Sequence, residues 1–418
     1  MTKLAVVLSG GGAKGAYEIG AYRALRKLGK RPNIITGTSV GAVNGLLIVQ
    51  GDLSKAFHLW KNISFSKVYD EEAFEALEND KISDIYKEYV KAFITEGGIN
   101  INKMLRILDG LYDSQKFFDS PIDFGLIAYN YTKNKPVEIT KKDLNKDNVK
   151  DYVAASASCY PAFKPYKIGD DLYIDGGYYD NMPMNLAIKM GADEIIGIDL
   201  RSPGLIRKTK TSIPTTIITP RNKMTSFLVF DKQKSKEALQ FGYNDTMKTF
   251  GKLDGDVLTF KKGNLVKNYN KYSLEFEDKV QQIINNLDNS VINKITKTSL
   301  FQNLVDQKLS YRNFNKLVEK AGLVFGFEET IIYNIKTYNK GLANKVNTII
   351  PISKKIILEK IKKPNFRKLI DNRQIVRYFY DAISKSEYEN IYKFIPIFMD
   401  DFLIALYIYI VQGKRSTY

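Results

Sequence analysis

Asn33-Ile34-Ile35-Thr36-Gly37-Thr38-Ser39-Val40-Gly41 is the stretch whose reading decides the fold. β-favouring residues lead into Gly37, and a run of small and apolar residues from Ala42 to Val49 leads away at helical spacing. Gly-x-Ser-x-Gly between a strand and a helix is the nucleophile-elbow pattern. Gly37, Thr38, Val40 and Gly41 would frame Ser39 in a tight turn, the glycines relieving clashes around a strained serine backbone. Ser39 would then project at the top of a sheet and at a helix N-terminus, where the dipole and free N–H groups favour developing negative charge. An ordinary Gly-rich turn carries the same letters, so the surroundings must decide.

The chain opens on Leu4-Ala5-Val6-Val7-Leu8, a buried strand by composition, followed by Ser9-Gly10-Gly11-Gly12-Ala13-Lys14-Gly15 and a helix that ends at Gly29. Two readings compete for this loop. Gly10-x-Gly12-x-x-Gly15 satisfies the dinucleotide fingerprint of an oxidoreductase, which requires a carboxylate about 20 residues on, at the end of a second strand. Lys30-Arg31-Pro32-Asn33-Ile34-Ile35-Thr36 has none, and the strand runs into Ser39 instead. The P-loop pattern fails as well, since Lys14 is followed by Gly15. An oxyanion hole built from Gly10, Gly11, Gly12, Ala13, Lys14 and Gly15 accounts for both features together.

Only one histidine, His58, and one cysteine, Cys159, occur in 418 residues. No intrachain disulfide can form, which suits a reducing compartment. Any histidine-dependent mechanism must use His58, which the pattern places on the second helix past the elbow, away from a triad position. His58 therefore reads as structural. Cys159, in the constrained loop Ala154 to Pro165, reads as a small hydrophobe. No metal site is expected.

From Leu53 to about Ser120 the sequence looks helical, with scattered aromatics and an acidic stretch at Asp70-Glu71-Glu72. This segment is expected either to pack as plain helices or to form a lid or acyl-chain pocket. Strands follow at Phe124 to Tyr129, Pro136 to Thr140, Leu172 to Asp175, Glu194 to Asp199 and Thr215 to Thr219, with helices over roughly 149–157, 184–190 and 232–250. Their alternation implies a doubly wound, parallel α/β sheet. Asp175 precedes Gly176 and Gly177 at a strand end, where a side chain reaches into a cleft; Asp-Gly is equally a hairpin pair.

Beyond Asp256 helical periodicity takes over, so the chain divides into 1–255 and 256–418, the second part a mainly α-helical domain without assigned role. The net charge is +17, with 36 Lys and Arg against 30 Asp and Glu before the boundary and 27 against 16 after it. Such a surface attracts anionic membranes or nucleic acid, or is simply a lysine-rich solvated surface. Lys354, Lys355, Lys360, Lys362, Lys363, Arg367 and Lys368 are dense within one short stretch. Phe402 to Val411, the longest apolar run, is too short to cross a bilayer and reads as a core helix. Without a secretory signal or a membrane span, a cytoplasmic location with peripheral membrane contact is expected.

Gly10-Gly11-Gly12-Ala13-Lys14-Gly15, Gly37-Thr38-Ser39-Val40-Gly41 and Asp175-Gly176-Gly177 stand in the order and spacing of patatin-like phospholipases, which residues 1–250 resemble. Ala155-Ser156-Ala157, Pro161, Pro165, Asn181 and Pro183 strengthen the likeness. The resemblance implies a lipid acyl hydrolase with Ser39 as nucleophile, Asp175 as base and the Gly11-Gly12 backbone as oxyanion hole. It implies phospholipid or other lipid ester substrates, no cofactor and no nucleic-acid partner. A catalytically silent lipid-binding protein is the third reading, suggested by the basic C-terminal part.

Overall fold

The computed structural model describes residues 2–69, 98–209, 211–285 and 309–413. Asp70-Glu71-Glu72 and the aromatics Phe74, Tyr86, Tyr89 and Phe93 of the helical-looking segment lie outside the described residues. The chain divides into two compact units, Met1–Thr249 and Phe250–Tyr418.

In the first unit an eight-stranded sheet holds β1 (Leu4–Leu8), β2 (Ile34–Thr38), β3 (Asp123–Asn130), β4 (Lys135–Thr140), β5 (Tyr166–Ile168), β6 (Asp171–Asp175), β7 (Glu194–Ile198) and β8 (Thr215–Ile218). The order is β5-β6-β3-β2-β1-β7-β8, with β4 paired to β3. Helices α1 (Ala16–Lys27), α2 (Val40–Val49), α3 (Leu53–Asn62), α4 (Phe65–Val68), α5 (Asn102–Leu111), α6 (Ser114–Asp119), α7 (Val149–Ser156), α8 (Met184–Lys189) and α9 (Lys232–Thr249) surround it. β1 is an unbroken apolar run because both faces of the sheet are covered. Ile35 and Phe124 approach Gly45 of α2 on one face, while Gly125 approaches Leu186 and Met190 around α8 on the other.

The sheet is mostly parallel: β1 pairs in parallel with β2 and β7, β2 with β3, and β7 with β8. Three pairings depart from the parallel expectation. β4 and β6 run antiparallel to β3, and β5 antiparallel to β6. A parallel crossover needs a dozen or more residues. Only Tyr131-Thr132-Lys133-Asn134 joins β3 to β4, and only Gly169-Asp170 joins β5 to β6, so both pairs must form hairpins.

The second unit contains α10 (Asn264–Asn285), α11 (Tyr311–Val324), α12 (Ile335–Thr348), α13 (Lys354–Lys360), α14 (Asn372–Lys385) and α15 (Met399–Gln412). Its core gathers on α15, which is buried from Met399 to Ile408 except at Asp400 and packs on α14, α12 and α11. The expected core helix over 402–411 is therefore present. Three short strands, β9 (Leu253–Asp254), β10 (Thr259–Lys261) and β11 (Ile332–Tyr333), form a small sheet that helical periodicity does not announce. Among the described residues no helix is long and apolar enough to cross a membrane.

Candidate active site

Three loops leave the carboxyl ends of neighbouring strands: the Gly-rich loop after β1, the Ser39 turn after β2, and the segment from Asp199 after β7. This edge of an open α/β sheet is where ligands bind. Ser39 sits between β2 and α2 with φ 58° and ψ −125°, a left-handed backbone that a non-glycine residue adopts only when its surroundings enforce it. Close approach explains the flanking glycines. A Cβ on Gly37 would lie 2.3 Å from the Gly41 carbonyl oxygen, and one on Gly41 would lie 2.4 Å from that of Leu8.

The strand register brings Asp175 to the same level. Thr38 pairs with Ile127 and Asp175 with Ala128, so β3 lies between β2 and β6 and Ser39 and Asp175 face each other across its width. Two strand spacings are about 10 Å, a gap that the two side chains narrow from either side. Asp-Gly-Gly is not a hairpin here. Gly176–Tyr178 forms a short 3-10 turn, and the Gly177 N–H donates to Asp175 Oδ1 at 2.7 Å, which orients the carboxyl. Burial pushes the Asp175 pKa up to about 6, with the Ser39 hydroxyl and the Gly177 N–H pulling the other way.

The Gly-rich loop divides in two. The Gly10 N–H donates to the Asn181 carbonyl at 3.0 Å, Ala13 to Phe227 at 2.7 Å and Lys14 to Gly11 at 3.1 Å. Gly11 and Gly12 line the same cavity as Ser39 and Val40. The Lys14 ammonium, its pKa lowered by burial, reaches the carbonyls of Leu200 and Arg201 at 3.3 and 3.2 Å. Gly15 is buried against Val40 and Trp60. At the start of α2, the first amides have no intrahelical acceptor.

One residue of this site has a role that the sequence does not reveal. Ser156, the last residue of α7, is fully buried; its Oγ accepts from the Ser39 N–H at 3.0 Å and donates to the Ile127 carbonyl at 2.6 Å. Its signal was the Ala155-Ser156-Ala157 segment, but Ser158 looks equivalent in sequence and merely returns its hydroxyl to the Ala154 carbonyl at 2.8 Å.

Above Ser39 lies a cavity of about 650 Å³, walled mainly by apolar side chains that include Trp60, Ile63, Tyr69, Leu108, Phe163 and Phe230. The helical segment after α2 thus supplies a pocket wall through α3 and α5. Trp60 is fixed there: its Nε1 donates to Asn44 Oδ1 at 2.8 Å, and Asn44 Nδ2 donates to the buried Glu18 at 2.8 Å and to the Gly15 carbonyl at 2.9 Å. Cys159 also lines the cavity, but burial and then the Asp175 charge push its thiol up to about 12, so it stays protonated. His58 is exposed on α3 and hydrogen-bonds with Asn62.

Residues 6–188 match the family model described as Patatin-like phospholipase. Over this span the chain is similar to patatin-like phospholipase domains. It is 27% identical over 202 residues to patatin-like phospholipase domain-containing protein 7 of Mus musculus, covering 48% of this chain and 14% of that protein. Lysophospholipase NTE1 of Candida albicans is 27% identical over 204 residues, covering 47% of this chain and 13% of its own length. The matched part is therefore about one seventh of these relatives. Among solved structures, VipD from Legionella pneumophila aligns over 99% of this chain and 92% of its own at 14% identity, with a TM-score of 0.38.

Proposed function

We propose that the patatin-like domain is a phospholipase A-type lipid acyl hydrolase working through an acyl-Ser39 intermediate. The observation that carries this reading is Ser39 on a strained elbow, level with a buried Asp175, at the base of an apolar cavity. A serine hydroxyl needs a base to become a nucleophile. An ordinary Asp, with a pKa of about 3.9, accepts a proton poorly at neutral pH. Raised to about 6, Asp175 is a better acceptor and is still ionised at pH 7. Asp175 takes the Ser39 proton as Oγ attacks the ester carbonyl. The tetrahedral oxyanion is held by the Gly11 and Gly12 amides together with the N-terminus of α2. The alkoxide leaves with the proton, and water then releases the acid by the same steps. One oxyanion donor contributes about 3 kcal/mol to such a step. An acyl chain occupies the apolar cavity, and no cofactor enters. Hydrolysis is assigned to residues 1–255; 256–418 form a separate helical domain, and the protein meets anionic membranes peripherally.

Labelling with a fluorophosphonate probe tests this directly. The expected result is one adduct on Ser39, absent in Ser39→Ala and strongly reduced in Asp175→Asn. Folded protein that takes no label at Ser39 would point to a silent lipid-binding protein instead.

A further inference from the structure

The cavity over Ser39 opens through an apolar rim. Leu205 is 63% exposed, Ile206 47% and Tyr131 50%, and Tyr178 and Leu172 are exposed as well. These side chains are linked. The Leu205 N–H donates to the Gly177 carbonyl at 2.9 Å, which sets Leu205 beside Tyr178. The Tyr178 hydroxyl donates to the Tyr160 carbonyl at 2.6 Å, and the Tyr160 ring lies 6.0 Å from that of Tyr131. The Tyr131 N–H then donates to the Leu172 carbonyl at 2.8 Å. Leu205, Tyr178 and Tyr160 also line the cavity, so the exposed apolar surface continues into the pocket wall. Exposed apolar residues scattered singly need no explanation, whereas a connected set around a cavity mouth marks an interaction site.

The charge of the same loop points to the partner. Arg201-Ser202-Pro203-Gly204-Leu205-Ile206-Arg207-Lys208 has three cations and no carboxylate, and all three are exposed. The Arg207 guanidinium stands 4.4 Å from the centre of the Tyr179 ring, which holds it at the surface. Across the rim, Asp171 is paired with Lys133 at 2.6 Å, and Asp170 is exposed. Apolar side chains flanked by cations suit an interface with acyl chains below and anionic headgroups above.

We propose that this rim docks the protein on a phospholipid bilayer. Leu205 and Ile206 enter the boundary between headgroups and acyl chains, Arg201, Arg207 and Lys208 meet the headgroups, and an acyl chain passes into the cavity without crossing water. The inference rests on the lipid hydrolase reading for what enters the cavity, but docking itself is measured without turnover.

The test uses full-length Ser39→Ala protein, which leaves vesicles intact, in co-sedimentation with phosphatidylcholine vesicles with and without phosphatidylglycerol. Ile206→Asp, Ile206→Ser and Lys208→Glu are added singly; neither position lines the cavity. The expected result is that Ile206→Asp weakens binding about tenfold, Ile206→Ser less, and that Lys208→Glu weakens it only when phosphatidylglycerol is present. With Ser39 restored, the same variants should hydrolyse a water-soluble short-chain ester like the parent and lose activity only on vesicles. Parent protein that binds neither vesicle, or Ile206 variants that bind like the parent, would overturn the docking proposal. Vesicle binding that needs Ile206, in a protein that cleaves no ester, would sustain docking and sink the hydrolase reading.

Discussion

Asp175 makes the pH dependence of the proposed reaction predictable in sign. The base must be ionised, and a carboxyl raised to about 6 becomes protonated as pH falls through that value. Hydrolysis of a soluble ester should therefore decline below about pH 6, and the midpoint should disappear in any residual activity of Asp175→Asn. A midpoint near the ordinary value of about 4 would mean that burial does not raise the Asp175 carboxyl, and a midpoint that persists in Asp175→Asn would remove Asp175 as the titrating base. His58→Ala should retain most of the activity, because the ring lies exposed on α3; a folded but inactive variant would show that a histidine takes part. Ser156→Ala removes the acceptor from the Ser39 N–H inside a buried site, where an unpaired amide costs about 1–3 kcal/mol. The expected loss is in kcat, with KM nearly unchanged, since Ser156 holds the elbow and does not line the cavity. Loss in KM alone would mean that Ser156 shapes the pocket instead. Gly11→Ala is a poor probe of the oxyanion hole, because its Cβ would lie 2.5 Å from Leu200 Cδ1.

Within the second unit, α15 depends on a closed polar ring. Asn268 Nδ2 donates to the Tyr407 hydroxyl at 2.9 Å, the hydroxyl donates to Asn339 Oδ1 at 2.8 Å, and Asn339 Nδ2 donates to Asn268 Oδ1 at 2.9 Å. All three residues are buried, and the ring joins α10, α12 and α15. Tyr407→Phe leaves one donor and one acceptor unmatched and should lower stability by about 1–3 kcal/mol in urea unfolding. An unchanged midpoint would mean that water replaces the hydroxyl. None of this ring is readable in sequence, because asparagine on a helix usually marks a polar face. Glu18 is hidden in the same way: α1 reads as an amphipathic helix, yet its carboxyl is fully buried against Asn44. What was legible had a local cause. β1 is a continuous apolar run that leads into the Gly-rich loop, β2 begins on β-favouring residues, and the Ser39 elbow carries its own steric requirement. β5, three residues of mixed burial, has no pattern to read, and the antiparallel turn of β4 and β6 follows from loop length rather than from strand composition. Ser39 and Asp175 were legible as candidates, but their common level depends on the register through β3, a non-local fact.

For the whole chain, charge separates two modes of membrane contact. The second part carries the larger basic excess, 27 against 16, and the lysine stretch 354–368 is only partly engaged within its unit. Lys360 donates to the Leu369 carbonyl at 2.6 Å and Arg367 pairs with Asp401 at 3.4 Å, whereas Lys355, Lys362, Lys363 and Lys368 are exposed. Each cation near an anionic surface contributes about 1 kcal/mol, so four give reversible binding at low salt. This attraction is screened as the Debye length shrinks from roughly 10 Å at 0.1 M toward 3 Å at 1 M. Insertion of Ile206 is not screened, because it is the removal of apolar surface from water. Full-length Ser39→Ala protein should therefore lose part of its binding to anionic vesicles between about 50 and 300 mM salt, and Lys355→Glu with Lys363→Glu should remove that salt-sensitive part. Ile206→Asp should lower binding at both concentrations. If parent binding does not change with salt, or the double charge reversal leaves the salt dependence intact, the lysine stretch is a solvated surface and the cavity rim alone makes the contact.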